Sequence, residues 1–187
     1  EVQGFAVIPG VLSEDRIERA KAAILRHAEK AVGHEIDPDS ATNEDFNGMQ
    51  YQHYLIFEDP VFQEILLEPK PLALVKYLLG EDCVLSSMGS HLRGPGGLPL
   101  GVHVDGLPNG CIGSTALIAN CNYALTSYSQ DEGALLLFPG SQHKQRQPTP
   151  AENWMAGTET LPQIMAKQLP PEELHAIEWT APAGGVT

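Results

Sequence analysis

The chain has 187 residues, 42% of them apolar, and a formal net charge of -13 from 11 Lys and Arg against 24 Asp and Glu. This length favours a single domain over 1–187, and the acidic balance argues against nucleic acid or an anionic membrane surface as a partner, because both are bound through clustered cations. No apolar run approaches the ~20 residues that span a bilayer, so no membrane segment is predicted.

The chain is predicted to begin with a short strand and a long helix. Residues 5–9 have the composition of a strand, which a Pro-Gly pair ends. Ser13 can cap the following helix through its hydroxyl, the apolar residues behind it share one helical stripe, and Gly33 supplies the stop. The polar, aperiodic stretch 34–47 lacks the ligand spacing of a calcium loop and is interpreted as a solvated loop, with a cover over a substrate pocket as one version.

Two more helices follow before residue 80. Asp59 followed by Pro60 is a favourable start for a helix, since Asp59 provides a cap and proline is tolerated in the first turn. Pro71 opens another helix, predicted over 72–79 and ended by Gly80. The first part of the chain, about 12–80, is therefore expected to be a helical cover.

The composition changes after residue 80 to short apolar runs bounded by Gly, Pro, Asn and Ser, which is typical of strands joined by turns. Between them, 145–173 is a Pro- and Gln-rich excursion. Helices first and strands second predict an α+β fold, mainly β in its core, with the helices flanking an antiparallel sheet or sandwich over about 83–187. The predicted strands are 84–93, 100–105, 116–125, 134–138, 176–180 and 185–187.

Three cysteines, Cys83, Cys111 and Cys121, are too few and too scattered for a disulfide framework, and none forms the CxxC pair of a zinc ribbon. An odd number is typical of a reducing compartment, which predicts a cytoplasmic protein whose cysteines are small buried residues. A bridge between Cys111 and Cys121 remains as an alternative.

The run His103-Val-Asp105 carries the chemistry that stands out. Alternate residues of a strand project to one face, so this imidazole and this carboxylate are expected to point the same way. They would then form two corners of the 2-His-1-carboxylate triad that holds Fe(II) with open coordination positions. His27 and Glu29 have the same spacing, but they lie in a predicted helix, where residues two apart diverge, so they are interpreted as surface residues.

Three stretches resemble proteins of the phytanoyl-CoA dioxygenase family. The first is Gly-Phe-Ala-Val-Ile-Pro-Gly-Val-Leu-Ser at 4–13, with the amphipathic helix behind it. The second is the His-Val-Asp-Gly run at 103–106, at the place of that family's HxD motif. The third is the stretch 123–144, which resembles the long family signature ending in a Gly-Ala-Leu strand and a Pro-Gly-Ser-x-His-Lys turn.

The resemblance implies a double-stranded β-helix, or jelly roll, with flanking N-terminal helices. It also implies oxidation that uses Fe(II), 2-oxoglutarate and O₂, with His103 and Asp105 as metal ligands. In this family a distal His and an Arg that pairs with 2-oxoglutarate follow a strand start that resembles 182–187, so both are expected in a C-terminal segment beyond this sequence. His143 and His175 are weaker candidates for the third ligand.

Three further residues are candidates for contact with the co-substrate. His91 and Arg93 lie on the strand before the HxD strand, from which the family often takes such a contact, and Asn122 occupies a similar position on the following strand. A hydrogen-bonded core histidine and a solvent-exposed arginine are the alternatives for the first two. Asn122 offers amide donors to a carboxylate.

These observations predict an Fe(II)- and 2-oxoglutarate-dependent dioxygenase that hydroxylates a small organic substrate and releases succinate and CO₂. The carboxylate of Asp105 favours hydroxylation over halogenation, since the related iron halogenases carry Gly or Ala at that position. The alternative is a non-catalytic jelly-roll binding module, or pseudoenzyme, with an incomplete metal site.

Overall fold

A computed structural model describes residues 3–46, 51–95, 100, 102–105, 115–129, 132–148, 177–178 and 182–187. These ranges contain helices, short strands and two 3₁₀ turns, so the predicted mixed class is confirmed. None of the helices in these ranges is long and apolar enough to cross a membrane. In chain order the elements are α1 (Glu14–Val32), β1 (Tyr51–Gln52), a 3₁₀ turn (Leu55–Phe57), α2 (Pro60–Leu66), α3 (Pro69–Leu79), β2 (Ser90–His91), β3 (Leu136–Leu137), a second 3₁₀ turn (Ser141–Lys144) and β4 (Ile177–Glu178).

Helix α1 begins and ends where its capping residues predict. The Ser13 hydroxyl accepts a hydrogen bond from the Arg16 N–H at 3.4 Å, which satisfies one of the donors that a helix start leaves unpaired. Gly33 closes the helix in the left-handed conformation, with φ of 82°, and its N–H donates to the Glu29 carbonyl at 2.8 Å. Glycine adopts this conformation without a Cβ penalty, so both ends of α1 are set by local sequence.

Helices α2 and α3, unlike α1, begin at prolines. The Asp59 carboxylate caps α2 by accepting from the Val61 N–H at 2.9 Å, as predicted. Helix α3 begins at Pro69 rather than behind Pro71, so its predicted start was wrong by about one turn. Pro60 and Pro69 are tolerated at these helix starts because an N–H in the first turn has no hydrogen-bond partner within the helix.

The buried core of the described residues lies between α1, α2 and the first 3₁₀ turn. Its members are all apolar and nearly inaccessible to solvent, and they include Ala20, Ile24, Leu55, Val61 and Phe62. The prediction placed the core mainly in β structure, whereas in these ranges it is mainly helical. The reason is geometric, since a long amphipathic helix buries a continuous stripe and a two-residue strand cannot.

The described strands form two antiparallel pairs. Strand β1 pairs with β2, with Tyr51 opposite His91 and Gln52 opposite Ser90, and β3 pairs with β4. Two predicted strands are shorter or absent in the described residues: only Ser90 and His91 form strand within 84–93, and 102–105 form none. A double-stranded β-helix therefore stays a prediction.

Residues 184–187, at the C-terminal end, lie between the N-terminal segment and the segment around Tyr123 and pair with both. Val186 forms antiparallel bridges with Ile8 on one side and Tyr123 on the other. Main-chain bonds from Asn122 to Thr187 (N–H to carbonyl, 2.8 Å) and back (3.1 Å) continue this pairing. The stretch that contains Asn122 is thereby fixed next to the N-terminal segment.

Candidate functional site

The backbone that carries the two predicted metal ligands is held by a side chain. Val104 donates its N–H to Gln147 Oε1 at 3.1 Å, and Gln147 Nε2 donates to the Val104 carbonyl at 2.7 Å. An amide side chain presents one acceptor and one donor in a plane, so it can bond both groups of one residue as a neighbouring strand would. Val104 thus receives the pair of bonds that a neighbouring strand would give, although 102–105 form no strand.

The structure brings the side chains of His103 and Asp105 together on one side of this backbone. The distance from His103 Nε2 to Asp105 Oδ1 is 3.5 Å, and the two side chains are 50% and 56% exposed. This fits the alternation expected for residues two apart in an extended segment. A nitrogen and an oxygen donor therefore face one accessible space.

Asn120 contacts the same carboxylate, and sequence reasoning missed it. Its amide Nδ2 donates to Asp105 Oδ2 at 2.5 Å, so the two carboxylate oxygens have different neighbours. The sequence instead favoured Asn122, whose main chain pairs with Thr187 and whose side chain is exposed. The sequence could have indicated Asn120 through its spacing, because it lies two residues before Asn122 and residues two apart in an extended segment face the same way.

A pocket of about 190 Å³ opens beside His103. Its walls come from the N-terminal segment, from strand β3 and the residue after it, and from the second 3₁₀ turn and the residues that follow. They combine apolar faces with polar or charged tips, among them Phe5, Leu137, Phe138, Gln142 and Arg146. The pocket is open to solvent and smaller than the roughly 300–1,000 Å³ of typical small-molecule sites.

The other two co-substrate candidates lie at the β1–β2 pair. The His91 ring stacks on Tyr51 with centroids 4.6 Å apart. Partial enclosure and, to a smaller extent, the positive charge of Arg93 lower the pKa of His91 below its ordinary value. Both side chains are exposed overall.

The remaining candidates have simpler outcomes. His143 lies exposed in the second 3₁₀ turn, next to the side chain of Gln142, and His175 lies outside the described residues. Cys121 is a free and exposed thiol, so the expectation that it is buried was wrong, while Cys111 also lies outside the described residues.

Comparison with known proteins decides the family. The model of the phytanoyl-CoA dioxygenase family matches residues 1–187. The chain belongs to this family. It is also similar to Dioxygenase af480 from Aspergillus fumigatus, with 31% identity over 148 residues that cover 74% of this chain and 45% of the relative. The chain spans a little under half the length of that curated relative.

The side chains of His103 and Asp105 fit an iron ion in their chemistry and in their spacing. Imidazole nitrogen and carboxylate oxygen suit non-haem Fe(II). Neighbouring ligands of an octahedral ion with bonds of about 2.1 Å lie about 3 Å apart, close to the spacing between His103 and Asp105. Within the described ranges no three His, Cys, Asp or Glu side chains form a metal-holding group. The pair fits two neighbouring coordination positions.

Proposed function

We propose that this chain is an Fe(II)- and 2-oxoglutarate-dependent oxygenase that hydroxylates a small organic substrate and releases succinate and CO₂. We further propose that residues 1–187 belong to one jelly-roll domain. The observation that carries the proposal is the approach of His103 Nε2 to Asp105 Oδ1 at 3.5 Å, and His103 also lines a pocket. Family membership supports the oxygenase class, because the model of the phytanoyl-CoA dioxygenase family matches the whole chain.

His103 and Asp105 would hold the iron, and the carboxylate would offset part of its charge. When bound, the iron and 2-oxoglutarate supply the oxidation, in which O₂ converts 2-oxoglutarate to succinate and CO₂ and one oxygen atom enters a C–H bond of the substrate. The chain's own task is to orient. Gln147 fixes the ligand backbone through Val104, and Phe5, Leu137 and Phe138 give the pocket beside His103 an apolar wall.

The third ligand and the arginine for 2-oxoglutarate are proposed to lie beyond residue 187. The direction of residues 184–187 supports this, since Thr187 pairs with Asn122 in an antiparallel register. A continuation of the strand in that register runs past Cys121 towards Asn120, whose amide reaches Asp105. A histidine there would approach the ligand pair. His91, Arg93 and Asn122 remain proposed contacts of the co-substrate.

The test is succinate formation by the full-length protein supplied with Fe(II), 2-oxoglutarate and O₂. His103→Ala and Asp105→Ala are each expected to reduce the rate to background, because each removes a proposed ligand. His143→Ala is the matched control, since this exposed histidine lies in a neighbouring turn. Succinate output that survives both ligand substitutions would refute the metal assignment. An inactive protein that still binds a small molecule would favour the non-catalytic module.

A further inference from the structure

We infer that Asn120 is the positioning residue that keeps Asp105 a single-oxygen ligand of the metal. The inference rests on the proposed function, and it begins with the different surroundings of the two carboxylate oxygens. Oδ2 accepts a hydrogen bond from Asn120 Nδ2 at 2.5 Å, while Oδ1 lies 3.5 Å from His103 Nε2. The oxygen nearer the imidazole is therefore the one left for a metal.

The bond matters because a carboxylate can bind a metal through one oxygen or through both. Binding through both oxygens occupies a coordination position that a chelating co-substrate or O₂ requires in a facial-triad site. The Asp105 side chain is half exposed, so little packing restrains its rotation. A donor on Oδ2 restrains it, and the amide NH₂ group can only donate to an ionised carboxylate.

The main chain explains how Asn120 is held in place. Two residues further on, Asn122 exchanges both of its main-chain hydrogen bonds with Thr187. Ala124 donates its N–H to the Gly185 carbonyl and accepts from the Gly184 N–H. This pairing fixes the backbone on the far side of Cys121. Asn120 therefore reaches Asp105 from an anchored segment, while its own side chain remains exposed and free of the core.

The experiment measures Co²⁺ binding to the full-length protein by calorimetry, together with the visible absorption of the bound ion. Asn120→Leu removes the donor at nearly constant size. Its Kd for Co²⁺ is expected to rise about 10- to 100-fold, as for other partners of metal ligands. The absorption is expected to change, because the released oxygen becomes available as a ligand. Asn120→Gln, which keeps an amide donor, is expected to bind Co²⁺ more tightly than Asn120→Leu.

Thr115→Leu is the matched control for binding and absorption, since that exposed side chain lies on the same described stretch, 115–129, and makes no bond to Asp105. A Kd and a spectrum of Asn120→Leu that match those of Thr115→Leu would overturn the inference while leaving the proposed function intact. Equal weakening by Asn120→Leu and Asn120→Gln would overturn it as well, since a purely structural role makes no distinction between them. Co²⁺ binding that does not depend on His103 or Asp105 would overturn both proposals.

Discussion

The substitution Gly184→Ala tests the three-way junction at residues 184–187. Gly184 is buried with φ of 90°, and a Cβ at this position would lie 2.8 Å from the Leu12 carbonyl oxygen and 3.2 Å from the end of Ile17. Its carbonyl accepts from the Val11 and Leu12 N–H groups at 2.8 and 3.1 Å, and its N–H donates to the Ala124 carbonyl at 2.7 Å. An added methyl group therefore meets backbone that is already hydrogen-bonded.

The expected loss has two parts. A left-handed conformation costs an L-residue about 1–2 kcal/mol. Forcing a methyl group against fixed backbone adds about 1–3 kcal/mol, as overpacking does elsewhere. Gly184→Ala should therefore lower the free energy of unfolding by about 2–5 kcal/mol, measured by urea denaturation without metal.

Gly133→Ala is the matched control for this measurement. Gly133 has a similar φ of 77°, but no atom of the described residues, its own chain neighbours aside, lies within 4 Å of its would-be Cβ, so its alanine variant is expected to show the conformational cost alone. The expected difference between the two variants is about 1–3 kcal/mol. Losses that agree to within about 0.5 kcal/mol, the usual spread of neutral substitutions, would refute the packing argument.

Two further predictions concern the site and the β1–β2 pair. Gln147→Leu removes both bonds to Val104, so calorimetry should show Co²⁺ affinity reduced about tenfold, with a loss of about 1 kcal/mol in urea denaturation; an unchanged affinity would contradict the proposed fixing of the ligand backbone. His91 should titrate below 6.5 by NMR, and Arg93→Leu should move its midpoint upwards. Because folding lowers this pKa, the unfolded chain binds more protons, and His91 therefore reduces stability as the pH falls below 6.5; a midpoint at or above 6.5 would contradict the assignment.

Local signals in the sequence predicted the helices well. Ser13 and Gly33 bound α1 because a cap hydroxyl and a left-handed glycine act on the nearest turn of backbone. The start of α3 was misplaced because Pro69 and Pro71 both suit the first turn of a helix. Strand extents were overestimated because a strand requires a partner, and local apolar composition does not indicate which distant segment will pair with it. Tyr51, for example, pairs with His91, forty residues away.

The site was predictable to the extent that it depends on neighbouring residues. The approach of His103 to Asp105 follows from alternation, a property of any extended segment. The roles of Asn120 and Gln147 depend on which segments fold against that pair, and both residues lie far from it along the chain. Gln147 belongs to a stretch interpreted as an excursion, where nothing local marks a residue that bonds main chain.

The way in which Val104 is held has a consequence for the tolerance of this protein to mutation. The strands of an ordinary sheet are joined through main-chain N–H and C=O groups, both of which every residue except proline supplies. Their pairing therefore survives most amino-acid substitutions. Here the same bonds come from the side-chain amide of Gln147. A substitution of this one residue would remove both bonds, and deamidation would remove the donor to the Val104 carbonyl. A mutation of Gln147 would therefore loosen the segment that carries His103 and Asp105, although Gln147 is not itself a proposed ligand.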